Sequence, residues 1–498
     1  MKYIFKIFLI GIILASGHSC SELEEDTGSL LSVGKIESEA DIANNVAPIY
    51  RRQLNMHRDP HYLRTATYGG DDITTWIAGN KAPLRVFDRF DYGSGENSDI
   101  NWLPHAWDAY WRTIYYCNTL IEGLKTATAP EAIVKAADAE ARVFRAISYL
   151  NLVKIHGNMP LILDGVLPTG KEQRATVLEN YRQIESDLQI AEVSLPVPGS
   201  EEEGRASASL AKSVLADLYL TWAGWPVKDV NKYPLAAAKA KEIIDYNYHE
   251  LIPIDQLWTL AGGDSKETIF SFRFDDDKSF GNQIAMSFTF HQGRGFSDCF
   301  PELQFFNDFP EGPRKDYTFL LDIPNRNAPG GVITPKNPPT IFWPDSDRAH
   351  PMYRKYVFSE DLTFSSRPVN FRPVDIYRYA EILLIYAEAQ IRATGNDSDG
   401  SALVALNLVK TRAGVPTVTS ATPNEVVDEK GWELAAENKR WFDLVRTERV
   451  AEMAAKRDPS EPVDLVRMPT EAQYIAPIPF NSVSLSELVQ NPEGFKIK

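Results

Sequence analysis

The sequence predicts a mostly α-helical chain, a tetratricopeptide-like helical repeat scaffold carrying two loop-rich insertions. Three observations lead there. Apolar residues recur at three- and four-residue steps over long stretches, the period of a helix that buries one face. Neighbouring stretches are joined by short turns, with alanines set opposite large residues so that paired helices approach closely. Over about residues 57–101, and again over about 250–375, that period is lost while glycine, proline, aspartate and aromatic residues rise, the texture of loops and short strands.

The elements follow in chain order. Lys2 and Lys6 give a positive start, Ile7 to Leu14 form an apolar run, and small residues lead to Cys20. Residues 1–19 therefore read as a secretory signal, too short to span a bilayer. A cysteine at the cleavage point predicts a lipoprotein with its lipid on Cys20, each buried methylene contributing about 0.8 kcal/mol of membrane affinity. The competing reading is an ordinary secreted chain whose first cysteine falls there by chance. Residues 20–36 are polar and read as a lipidated flexible tether, and residues 37–498 as a single domain.

Helical patterns cover Ala40 to Met56, Trp102 to Lys125 and Glu131 to His156, the last with Ala139, Val143, Ala146, Leu150 and Val153 on one face. Thr176 to Leu195 carries a capping box, Thr176 with Glu179 three residues on. Ser207 to Tyr246 reads as two helices broken at Gly224 and Pro226. Ile376 to Thr394 followed by Ser401 to Ala413 repeats that arrangement, and Glu425 to Lys456 is a further long helical region.

Composition narrows the function. The 498 residues are 44% hydrophobic and 24% charged, which is globular, and no later apolar stretch reaches spanning length. A net charge of −16 repels phosphate backbones and disfavours nucleic acid as a partner. With Cys20 lipidated, Cys117 and Cys299 remain, with no metal-binding spacing, and read as two buried free thiols.

Four blocks then occur in order: Glu140-Ala141-Arg142-Val143-Phe144-Arg145-Ala146 running to Asn158-Met159-Pro160-Leu161; Tyr377-Arg378-Tyr379-Ala380-Glu381-Ile382-Leu383-Leu384-Ile385-Tyr386-Ala387-Glu388-Ala389; Asn407 to Pro416 leading into Trp432 to Arg446; and Pro477-Ile478-Pro479 with Gln490-Asn491-Pro492-Glu493-Gly494-Phe495. Together with the lipoprotein start they resemble the SusD/RagB family over nearly the whole mature chain. Glu493 interrupts the usual Asn-Pro-Gly-Tyr ending. The resemblance implies a nutrient-binding lipoprotein, lipid-anchored on the outer membrane and facing the cell exterior. It also implies a partner, a SusC-like TonB-dependent transporter to which captured glycan is delivered, four tetratricopeptide-like units, no cofactor and no enzymatic activity. A peptide- or protein-binding RagB-like protein is the alternative within the family. A surface glycoside hydrolase and a repeat scaffold that binds no nutrient are alternatives outside it.

Sugars stack their CH faces on aromatic rings and hydrogen-bond planar polar side chains. The candidates for ligand contact are accordingly Trp76, Asn101, Trp102, Arg294, Phe296 and Trp343, all in or beside the loop-rich segments. A tryptophan in a loop is either packed beneath it or presented to a ligand. Trp107, Trp111 and Tyr115, at four-residue steps, read as a buried helix face, and Trp222, Trp225, Trp432 and Trp441 as structural. His57 and His61, flanking Pro60, read as solvated loop histidines. Asp71-Asp72 and Asp275-Asp276-Asp277 read as solvated turns; a structural calcium there lacks the ligand spacing of an EF-hand loop.

Overall fold

The computed structural model describes residues 36–59, 61, 65–91, 102–274, 281–293, 295–325, 340–356, 370–395, 397, 399–462 and 464–491. The leader, Cys20, the tether up to residue 35, Asn101, Arg294 and Asp275 to Asp277 lie outside them. Ile36, assigned to the tether by sequence, is buried, and its carbonyl accepts the Thr128 amide at 3.1 Å.

Eight helices form the scaffold as four pairs. α1 (Glu39–Arg58) packs on α2 (Leu103–Leu124), α3 (Glu131–His156) on α4 (Val177–Ser194), α5 (Ala208–Trp222) on α6 (Tyr233–Asp245), and α7 (Tyr379–Thr394) on α8 (Ser401–Ala413). Each pair also touches the next: α2 on α3, α4 on α5 and α6 on α7. The helical-repeat expectation is thus met, α3 to the residue. Buried alanines sit at the contacts, Ala139 and Ala146 on α3, Ala211 and Ala216 on α5, Ala240 on α6, and they admit close helix approach. The capping box opens α4 as expected: Glu179 donates its amide to the Thr176 hydroxyl at 3.2 Å, and the Thr176 amide reaches the Glu179 carboxylate at 2.7 Å. Such a cap contributes about 1 kcal/mol.

Two helical expectations are corrected. Ile376 to Arg378 are not helical; Val374–Arg378 is a strand, antiparallel to Thr268–Phe272. The cause is tertiary: Phe270 and Phe272 lie 5.9 and 6.4 Å from Phe144 on α3, so a strand pair closes that face of the repeats. Glu425 to Lys456 is three short helices, α9 (Pro423–Glu433), α10 (Arg440–Arg446) and α11 (Val450–Ala454). The breaks fall where Ala436, Asn438 and Glu448 take left-handed φ of 62°, 62° and 58°, which no helix continues through. The Asp72 carboxylate holds the first break by accepting the Ala436 amide at 2.8 Å.

The same C-terminal blocks carry a buried ionic network. Arg378 donates to Glu433 at 2.6 Å, to Glu267 at 3.0 Å and to Glu437 at 2.8 Å, while Arg412 reaches Glu267 at 2.8 Å and Arg314 reaches Glu429 at 2.6 Å. Charges so deeply desolvated persist only because each has several opposite partners. The three guanidiniums around Glu433 hold its carboxyl, despite burial, well below the usual carboxylate range. The network ties the starts of α7 and the loops to the ends of α8 and α9.

The two insertions fold onto each other. Thr74–Thr75 pairs antiparallel with Cys299–Phe300, Phe319–Leu320 with Met352–Tyr353, and Asp322–Pro324 with Thr340–Phe342. The Tyr353 hydroxyl donates to the Asp72 carbonyl, and Gln283 donates its amide to the Arg58 carbonyl at 2.9 Å. Cys117 and Cys299 are free and buried, as the sequence indicated. No helix among the described residues is long and apolar enough to cross a membrane.

Candidate ligand-binding face

The paired insertions bring four of the six candidate residues onto one loop face, in two groups. The first is organised by His61. Its ring lies 4.9 Å from that of Trp102 at 18°, and 6.5 Å from that of Phe296 at 26°. Trp102 stands at the start of α2 with φ of 64°. Phe296 is aimed by Gly295, where any side chain would run into the Thr289 carbonyl; the glycine lets Ser297 approach Thr289 so that the Ser297 amide reaches that carbonyl at 3.0 Å.

His61 Nε2 is 3.1 Å from Asp298 Oδ2, and Nδ1 is 3.3 Å from Asp59. Burial alone would lower its pKa, but Asp298 and Asp59 outweigh that and raise it to about 9, so the ring is an imidazolium at neutral pH. A cation this close to the Trp102 ring is favourable through its quadrupole. Asp298 is pulled below its ordinary value against its burial by His61 and Lys81, both of which pair with it, and it also accepts the Ser287 hydroxyl at 2.6 Å.

The second group stands on a small apolar cluster of Phe290, Phe300, Ile323 and Met352, against which both Trp76 and Trp343 pack. Trp76 meets Phe300 edge-on at 6.3 Å and carries the Arg348 guanidinium 4.6 Å above its ring. Arg348 also contacts His291 Nδ1 at 2.9 Å, and its Nε finds no partner among the described residues. Trp343 meets Phe306 edge-on at 5.9 Å; beside it Phe342 is 51% exposed, and Ile77, next to Trp76, is 58% exposed. Trp76, Trp102, Phe296 and Trp343 are all half-buried, one face packed and the remainder open.

Several sequence readings are corrected here. His57 is not a solvated loop residue: it closes the last turn of α1, bonds the Gln53 carbonyl at 2.8 Å and stacks 4.7 Å from Phe272, and burial lowers its pKa to about 4. His61 is the ion-paired centre of the first aromatic group. Asp71 and Asp72 form no solvated turn: Asp71 pairs with Arg440 at 2.6 Å and Asp72 holds the Ala436 amide. Trp107 and Trp111 do form a packed helix face, edge-on at 5.6 Å, and Trp222 and Trp441 are buried. Missed were Lys81, Asp298, Phe342 and Arg348. Phe342 had a signal, its adjacency to Trp343 ahead of a proline; the others had none.

Two buried carboxylates beside this face are occupied. Glu302 accepts the Asp458 amide at 2.7 Å and the Phe305 amide at 2.9 Å, and burial pushes its carboxyl up to about 7. Glu461 accepts the Leu303 amide at 2.8 Å and lies 3.2 Å from His350. Among the described residues no group of three or more His, Cys, Asp or Glu is arranged to hold a metal ion.

Comparison with known proteins adds a lineage. A family model described as the SusD family matches residues 266–494, and one described as starch-binding, associating with outer membrane, matches residues 78–220. SusD-like protein P2 of Formosa agariphila is 26% identical in an alignment covering 99% of this chain and 99% of that one. A SusD-like protein of Bacteroides ovatus is 23% identical over 69% of this chain, which spans 65% of that relative's length. The solved structure of surface glycan-binding protein A from Bacteroides uniformis superposes with a TM-score of 0.74 at 22% identity, covering 91% of this chain and 99% of that one.

Proposed function

Because this chain belongs to the SusD family, we propose that it captures a poly- or oligosaccharide on its loop face and delivers it to a SusC-like TonB-dependent transporter. The observation that carries the reading is the loop face itself. Four aromatic side chains are each braced on one side, by His61 or by the apolar cluster, and keep their remaining surface open. Braced rings lose little conformational freedom on stacking against a sugar, and Arg348 holds the Trp76 ring in place from one side. The matched family is described as starch-binding and the structural neighbour as surface glycan-binding, which supports the same reading.

In this reading Cys20 carries the lipid, the segment from residue 20 up to the packed Ile36 tethers the domain to the outer membrane, and the protein faces the cell exterior. It acts by binding rather than by hydrolysis: a glycosidase needs two carboxylates flanking one bond, about 5 to 10 Å apart, and Asp71, Asp72, Asp298 and Glu302 are each committed to a cation or to backbone amides.

Affinity electrophoresis of the full chain in detergent, through gels containing plant, host and microbial polysaccharides, tests the proposal. Selective retardation by one polysaccharide, lost in Trp76→Ala or Trp343→Ala, is the expected result; retention of peptides with no retardation by any polysaccharide would replace glycan with peptide as the cargo. Co-purification with a large β-barrel from outer membranes tests the delivery step.

A further inference from the structure

We propose that a cavity at the C-terminal end of α3 is a second ligand site, separate from the loop face, for a small ring-bearing carboxylate. The cavity has a volume of about 280 Å³, enough for one substituted ring. It lies between the end of α3, the start of α4, the end of α5 and α10, and none of its lining residues belongs to the loop face. Tyr181, Trp225 and Phe442 supply aromatic walls.

Its charged groups are not equivalent. Lys154 is spent on Asp217 at 2.6 Å, and Arg446 on Glu388 at 2.5 Å and Asp443 at 2.7 Å. The Glu471 carboxylate takes the Trp225 indole N–H at 3.2 Å. Arg174 differs. Its guanidinium donates to the carbonyls of Asn158 at 2.7 Å, Val489 at 2.8 Å and His156 at 3.4 Å, and to the Asn491 side chain, all neutral acceptors. No described carboxylate pairs with it, in a chain whose net charge is −16. Elsewhere in the molecule the buried guanidiniums of Arg145, Arg314, Arg378, Arg440 and Arg446 all have carboxylate partners.

Tyr181 lines the same cavity. Tyr181 is 1% exposed, yet no described residue hydrogen-bonds its hydroxyl. A half-buried cation with no carboxylate partner and a buried phenol with no acceptor favour an anion that offers oxygens to both. The aromatic walls require that this anion be carried on a ring. Aromatic acids and sugar acids share this chemistry, and the probes distinguish them.

The test is titration calorimetry of the full chain in detergent with benzoate, with D-glucuronate and with inorganic phosphate. We expect one of the two ring carboxylates to bind and phosphate to bind far more weakly. Arg174→Gln should weaken that binding by about tenfold or more, and Tyr181→Phe should weaken it several-fold. Both variants should retain polysaccharide retardation, and Tyr181→Phe should also retain the wild-type melting temperature. Should Arg174→Gln not fold, Tyr181→Phe decides alone. Absence of binding by both ring carboxylates at millimolar concentration, unchanged affinity in the variants, or phosphate binding as well as the ring carboxylates would each overturn the proposal. Because retardation by polysaccharide reads the loop face, a failure here leaves the proposed function standing, and the reverse holds as well.

Discussion

His61 Nε2 and Asp298 Oδ2 are 3.1 Å apart, and this pair pins the first insertion to the second beneath Trp102 and Phe296. The pair sets a pH dependence. The pKa of His61 is raised from its ordinary 6.5 to about 9 in the folded protein, so its stabilisation is complete below 6.5 and is lost as pH rises through about 9. The shift corresponds to on the order of 2 to 3 kcal/mol once partial exposure is discounted. Melting temperatures measured from pH 6 to pH 10 should therefore fall more for the wild type than for His61→Gln; parallel curves would refute the pairing.

The Asp72 carboxyl moves stability in the same direction over a lower pH window, because there the ionised form is the disfavoured one. Burial, then the charge of Asp71, pushes it up to about 6, so its contribution to stability declines as pH rises from its ordinary value of 3.8 towards 6. Asp72→Asn keeps an acceptor for the Ala436 amide and removes the charge. It should be at least as stable as wild type at pH 7, whereas Asp72→Ala should lose about 1 to 3 kcal/mol by orphaning that amide. Urea denaturation of both variants checks the contrast.

Arg378 is the hub of the buried network, with Glu267, Glu433 and Glu437 all upon it. Arg378→Met leaves three carboxylates short of a partner and should cost about 3 to 5 kcal/mol, read as a lowered urea midpoint. A loss below about 1 kcal/mol would mean that Arg412, Arg314 and Lys355 suffice without it.

Cys117 and Cys299 are buried, and burial raises the Cys117 thiol well above its ordinary value. Neither should react with a disulfide reagent in the native protein, and both should react on unfolding, with equal mobility on reducing and non-reducing gels.

The parts of this molecule legible in the sequence are those written in local period and local capping. α3 is readable to the residue because its apolar positions repeat within one helix, and α4 because Thr176 and Glu179 lie three residues apart. What was not legible depends on contacts between distant segments. His61 reads as a loop histidine until Asp298, 237 residues away, is placed against it, and Asp72 reads as a turn until Ala436, 364 residues away, needs its carboxylate. The helix breaks after α9 were hidden for the same reason, since the left-handed residues that make them are alanine, asparagine and glutamate rather than glycine. The candidate aromatic residues were recognisable by kind, whereas their grouping around His61 and around Phe300 is a property of the folded loops.

The central claim is that ligand rests on the braced aromatic rings of the loop face. Its most direct test is titration calorimetry of oligosaccharides cut from the polysaccharide that retards the wild type, against Trp102→Ala, Trp343→Ala and, as a control, Leu485→Ala, a residue 83% exposed outside the loop face. Affinity about fivefold or more weaker in both tryptophan variants, with Leu485→Ala unchanged, is the predicted result. Wild-type affinity in both tryptophan variants would contradict it.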